Sequence, residues 1–159
     1  SVSAESGVCG VATSGWRGRS LSLGIADSVT VLAASAAQAD AAATMIANAV
    51  NIDAPEVQRL PATRVRDDSD LGERLVTVGV GRLSTSQVAR ALAAGLAQAD
   101  HELDCGRIHA ALLCLQGQTR HCRRSSSALD GRRRAGPILL HALPCAPRSA
   151  GQRFTFIGA

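Results

Sequence analysis

Hydrophobic positions recur along this chain with two different periods, and the switching between them outlines the fold. From Gly7 to Thr13 a short apolar run, punctuated by glycines, ends at a Thr13-Ser14-Gly15 turn. That predicts a buried strand. Arg19 to Ala26 alternates small polar with apolar residues, and Ser28 to Ala33 puts Val29 and Val31 on one face at period two. Both stretches predict extended chain. The pattern then changes. Ser35 followed by Gln38 is a capping-box pair, and the alanine-rich stretch behind it predicts a helix to about Ala49, closed by Asn51 and Pro55. Residues 52–73 are polar, with Pro55, Pro61 and the acidic run Asp67-Asp68-Ser69-Asp70, and predict a long connection. Leu75 to Val80 alternates again, as a strand does. Ser84 with Gln87 repeats the capping box before a helix expected over 85–103, which would bury Val88, Leu92, Leu96 and Ala99 and stop at Gly106. Ile108 to Leu115 is a continuous apolar run of strand length. Helices bracketed by strands predict an α+β domain, a mixed or antiparallel sheet with helices packed on it.

Composition sharpens this picture. In 159 residues, 46% are hydrophobic but only 2% aromatic, so one core must be built from Ala, Val, Leu and Ile. All 17 basic residues are arginine. Residues 1–117 hold nine arginines against twelve carboxylates, and residues 118–159 hold eight arginines against Asp130 alone. The basic balance therefore belongs to the end of the chain. The mildly acidic body offers no basic stripe, so nucleic acid is not an expected partner. No apolar run reaches the roughly 18–20 residues of a membrane span. Five cysteines without a CxxC pair or a secretory leader predict free thiols in a reducing, cytoplasmic setting.

Candidate chemistry centres on Asp40 and Thr44. Four apart on a helix, they share one face a turn apart. Two oxygen ligands so placed suit a hard cation such as Mg²⁺ held against a phosphate, and the same spacing suits an ordinary solvated helix face. Thr13, Ser14 and Gly15 offer hydroxyls and backbone N–H groups to a phosphate, or simply end a strand. Asp27 stands at a strand start as a second carboxylate or a turn residue. Asn48 extends the Asp40–Thr44 stripe by one turn, to reach a ligand or to cap the helix. Asp68, Ser69 and Asp70 suit a cation or a solvated loop. His101, Cys105, His109 and Cys114 have no compact zinc spacing. Neither a Walker loop nor a Ser-His-Asp pattern is present, and there is no lysine to complete the former.

In order along the chain stand TSG at 13–15, GIADSVTV at 24–31, ADAAAT at 39–44, Asn48, SDLG at 69–72 and LQG at 115–117. This succession resembles the flavin transferase superfamily (FAD:protein FMN transferases) and more closely its sister group, the uncharacterised protein family 0280, over about residues 7–117. The resemblance implies a flavin-transferase-like fold, Asp40 and Thr44 as metal ligands, Mg²⁺ as cofactor and FAD or a related nucleotide pyrophosphate as ligand. It places Thr13, Ser14, Gly15, Asp27 and Asn48 around that small molecule. The chain departs from the flavin transferases at GIAD, where they carry a histidine and an aspartate-proline-threonine-glycine run. The alternatives are a non-catalytic relative or one serving a methanopterin-type cofactor in one-carbon metabolism, and an inactive truncated product. Members of the sister group are longer at the N-terminus, so a fragment comprising the C-terminal part of the domain is expected.

The end of the chain differs in kind. Residues 1–120 form the expected body. Residues 121–159, rich in Arg, Ser, Pro, Gly and Ala, form an expected basic tail of low order. His121-Cys122-Arg123-Arg124 can be spelled in codons whose reading shifted by one base begins Thr-Val-Gly, which would extend the strand before it, so a frameshift near Arg120 is expected.

Overall fold

The computed structural model describes residues 7–124, which form an α+β fold. Four strands make one antiparallel sheet: β1 (Gly10–Ser14), β2 (Ser28–Ala33), β5 (Ala110–Leu115) and β6 (Gln118–Arg123), in the order β1-β2-β5-β6. Two further strands, β3 (Val57–Pro61) and β4 (Leu75–Val80), pair with each other as a separate ribbon. Helices α1 (Ala36–Ala49) and α3 (Thr85–Asp104) pack on one face of the larger sheet and on each other, and α2 (Ala62–Val65) is a single turn after β3. Among the described residues no helix is long and apolar enough to cross a membrane.

The pleat sorts side chains between two faces. Ala12, Val29, Val31, Ala111, Leu113 and Leu115 turn to the helices and are buried. Val11, Thr13, Thr30 and Leu112 occupy the alternate positions on the opposite, open face, where the hydroxyls of Thr13 and Thr30 bond across the β1–β2 pair at 2.9 Å. Helix α1 meets the sheet through small residues. Ala39, Ala42, Ala43, Ile46 and Ala47 are its buried face. At its start, a Cβ on Gly10 would stand 2.1 Å from the Ser35 carbonyl; at its end, a Cβ on Gly24 would stand 2.0 Å from the Ala47 oxygen. Gly95 of α3 likewise admits Val50, whose methyl would lie 2.2 Å from a Cβ there. With so few aromatic residues, burial comes from close approach of backbones and not from bulk.

Both capping serines close their helices, each accepting from the backbone N–H of the glutamine three residues on, and at Ser84 the capping box is complete. The stop of α3 is a Schellman motif. Gly106 takes φ +72°, its N–H donates to Leu103, and the Arg107 N–H donates to Glu102. The same two residues pair through their side chains, Arg107 Nε to Glu102 Oε2 at 2.5 Å, although Glu102 is only 2% exposed.

Three expectations are corrected. Residues 19–26 are an irregular loop and not extended strand, because Leu23 and Ile25 donate to the α1 end (Asn48 Oδ1 and the Val50 carbonyl) instead of to a ladder. Inside the connection expected at 52–73 lie β3 and α2. The β3 sequence, Val-Gln-Arg-Leu-Pro, shows little alternation because the strand has one pairing partner and a bulge at Gln58/Arg59. The boundary expected after residue 120 falls within β6, whose Cys122 packs against the core. The rest of the tail, 125–159, lies outside the described residues.

Replacing Gly24 with Ala should cost about 1–3 kcal/mol of stability, since the added carbon meets backbone that has no room to give. Urea denaturation at unchanged slope reads this directly, and an unchanged midpoint would refute the close approach. Glu102 supplies a second prediction. Its carboxyl is held below the usual range by the hydrogen bond from Arg107, against the opposing effect of burial. A lowered folded value means a contribution present at neutral pH and lost as pH falls through it. Glu102→Gln should therefore destabilise at pH 7, and the gap to the parent should narrow on acidification below about pH 4.

Candidate functional site

Helix α1 runs along the sheet in the same sense as β1, from beside Gly10 to beside Gly24. Its flank carries Asp40, Thr44 and Asn48 at four-residue spacing. Asp40 is half-buried and Thr44 exposed, and among the described residues neither has a hydrogen-bond or ion-pair partner. Asp40 is also the only charged residue of the helix. Asn48 differs: its Oδ1 accepts from the Leu23 N–H at 3.0 Å and the Ser22 hydroxyl at 3.3 Å, so it holds the β1–β2 loop.

The Thr13-Ser14-Gly15 turn divides between the two sides of the sheet. Thr13 faces the open side, away from α1, and its hydroxyl is bonded to Thr30. Ser14, at the alternate position, is half-buried on the helix side. Counting about 1.5 Å per helical residue from Ser35 and about 3.3 Å per strand residue from Gly10 sets Thr44 near the level of Ser14, with Asp40 one turn nearer Ala12. Gly15 is required by the turn, because a Cβ there would lie 2.5 Å from the Asp27 carbonyl. The Trp16 N–H behind it donates to Ala26. Ser14 thus lies on the side of the sheet that α1 covers, and Thr13 on the other.

Asp27 is tied on both oxygens. Oδ1 accepts from the Trp16 indole at 3.3 Å and pairs with Arg17 at 3.1 Å; Oδ2 accepts from the Gln116 backbone at 2.6 Å. Gln116 itself sits at φ +44°, donates to the Gly81 carbonyl and accepts from the Leu83 N–H. The two motifs GIAD and LQG therefore form one clasp between the β1–β2 loop and the β5–β6 turn. Both were visible as motifs in the sequence, but 89 residues separate Asp27 from Gln116 and nothing local pairs them.

A cleft of about 270 Å³ lies between the β1–β2 loop and the loop after α2, lined by Ser20, Leu21, Arg66, Asp68, Ser69, Asp70 and Leu71. Arg66 is bonded to the Arg19 carbonyl at 2.9 Å, which ties the two walls together. Asp40 and Thr44 are not among its lining residues. Of the four His and Cys residues weighed for zinc, the structure joins His101 and Cys105, at 3.8 Å. Among the described residues no three His, Cys, Asp or Glu side chains form a group able to hold a metal ion.

Over residues 1–121 the sequence matches the family described as AbpE bacteria, and the chain belongs to that family. The match is not to a flavin transferase family, so the resemblance drawn from the short motifs is corrected. In the structure four residues of those motifs, Asp27, Asn48, Gln116 and Gly15, serve packing and loop closure. Neither a curated protein nor a solved structure matches the sequence.

The Asp27 clasp is testable through Trp16, the single tryptophan. Asp27→Ala should release the indole, shift its emission to longer wavelength and lower stability by about 1–3 kcal/mol, the cost of leaving a charge-assisted donor set unpaired. Unchanged emission and an unchanged unfolding midpoint would show that the carboxylate does not hold the loop.

Proposed function

We propose that this chain binds a nucleotide pyrophosphate, FAD or a relative of it, together with a divalent cation, along the α1 flank that carries Asp40 and Thr44. The observation that carries this reading is the half-buried Asp40, whose carboxylate has no partner among the described residues, on a helix where every other polar group is neutral. A carboxylate partly withdrawn from water and left unpaired is costly unless something cationic joins it. The cation part of the reading stands on these residues, and the nucleotide is carried over from the sequence expectation.

The donors fit Mg²⁺ in one mode only. Asp40 and Thr44 supply two oxygens, far short of a protein cage. Mg²⁺ is commonly held by one or two carboxylates, with water and ligand phosphates completing the shell. Asp40 would hold the cation directly and Thr44 would contribute a hydroxyl oxygen. When bound, such a cation supplies Lewis-acid stabilisation of charge on pyrophosphate oxygens. The Ser14 hydroxyl, on the same side of the sheet, can donate to a phosphate oxygen. Cation and nucleotide should therefore bind together and each poorly alone.

A second reading, binding without turnover, draws on a separate observation. Asp27, Asn48 and Gln116 are all engaged in holding loops, which leaves the α1 flank without an evident general base. A cytoplasmic setting is part of the proposal, supported by the four described cysteines being free.

Calorimetric titration with FAD and Mg²⁺ tests the site. Asp40→Asn, which keeps size but removes charge, should weaken binding at least tenfold, about 1.4 kcal/mol. Thr44→Val should weaken it less, since a neutral hydroxyl is the poorer ligand. Asp100→Asn, on exposed α3 surface, should be silent. Equal binding by the parent and Asp40→Asn would remove the cation site.

A further inference from the structure

The face of the four-stranded sheet turned away from the helices has the composition of an interior. The strand registers place Val11, Leu32 and Ala110 in one row across it, Thr13, Thr30 and Leu112 in the next, and Ser28 and Cys114 in the third. Val11 and Leu112 are each 44% exposed. An antiparallel sheet that keeps one face in water alternates apolar and polar residues along its strands. The central strand β5 does not. Its sequence, Ala-Ala-Leu-Leu-Cys-Leu, is apolar on both faces, although among the described residues helices cover it on one side only. The hydroxyls in the middle of the face are already satisfied. Thr13 and Thr30 bond each other at 2.9 Å, so a dry contact over them leaves neither without a partner.

Charge on this face is confined to one edge. β6 turns His121 and Arg123 outward, at the ends of the Leu112 and Ala110 rows. None of the four strands contains an Asp or a Glu. A cover with carboxylates across its width would set charge over the aliphatic centre, which is unfavourable. A second copy of the same face brings none there, and one two-fold contact covers both copies at once. Two sheets stack face to face about 10 Å apart, with their strands aligned to within about 30°. Of the two ways to stack these, charge selects one. A two-fold axis across the strands lays β6 on β6 and sets like charges together. An axis along the strands lays β1 of one copy over β6 of the other, and β2 over β5. The cations then lie at opposite rims, over Val11 and Thr13, and the leucines of both copies fill the centre. Strands about 4.8 Å apart, with about 3.3 Å per residue, make a face of roughly 19 by 18 Å. Two copies thus bury on the order of 1,000 Å², the low end for a specific interface.

We propose that the open face of the sheet is a homodimer interface, covered by the same face of a second copy of this chain with β1 over β6. It lies on the opposite side of the sheet from the α1 flank and is independent of the reading given for that flank.

Sedimentation equilibrium of the whole chain, from about 1 to about 500 μM, tests it. The parent should dimerise reversibly with a micromolar dissociation constant, as the modest area requires. Leu112→Asp puts an unpaired charge in the centre and should weaken the dimer at least about tenfold. Circular dichroism should stay that of the parent, because Leu112 lies outside the buried core. Thr13, at the rim, supplies a second pair of variants that leaves the centre untouched. Thr13→Glu would face His121 and Arg123 of the other copy, so it should dimerise at least about threefold more tightly than Thr13→Arg. A parent that stays monomeric over this range would overturn the proposal, whatever else covers the face. So would a dimer that Leu112→Asp leaves intact, or one in which Thr13→Glu binds no more tightly than Thr13→Arg.

Discussion

Everything in this molecule depends on how closely α1 can lie on the sheet. Gly10 and Gly24 remove the side chains that would hold the helix off at its two ends, and the alanines between them keep the separation small. A core with almost no aromatic rings cannot fill a wide interlayer space, so a wider gap would leave voids that its aliphatic residues have no volume to close. The glycines and the alanine-rich helix are two parts of one solution, and Gly95 of α3 extends it to the contact between the helices.

Close packing has a consequence for the loop between β1 and β2. Once α1 lies against Gly24, the backbone of residues 22–27 has no strand to pair with, and its polar groups must be satisfied elsewhere. Asn48, Asn51, Val50, Cys114 and Thr77 take them up. Asp27 and Gln116 then clasp the loop to the β5–β6 turn. Much of what looks like catalytic vocabulary in the sequence is in this sense backbone accounting. Asp40, Thr44 and Ser14 are what remains on the α1 side after those needs are met, and for that reason they carry the functional proposal.

The end of α3 shows the same economy in a different form. A Schellman turn and an ion pair use the same two residues, Glu102 and Arg107, so the backbone stop and the side-chain lock reinforce each other.

By itself the sequence determined the α+β class, both long helices with their serine caps, the Gly106 stop, and strands at 10–14, 28–33, 75–80 and 110–115 to within a residue or three. These features are local: a capping serine, a glycine at positive φ and an alternating run act within a few residues of themselves. What the tertiary structure alone decided is which polar residues remained free. Read along the chain, Asp40 is the leading candidate ligand and Asp27 a second carboxylate or a turn residue. Which of them is engaged shows only in the fold: Gln116, Trp16 and Arg17 meet at the Asp27 carboxylate, and none of the described residues meets that of Asp40. Thr13 and Ser14 are neighbours in sequence, yet the pleat sends them to opposite faces, and which face the helix covers follows from packing. Long-range pairing costs chain entropy that no local pattern records, so the side chains that receive it can be told apart only once the fold has closed.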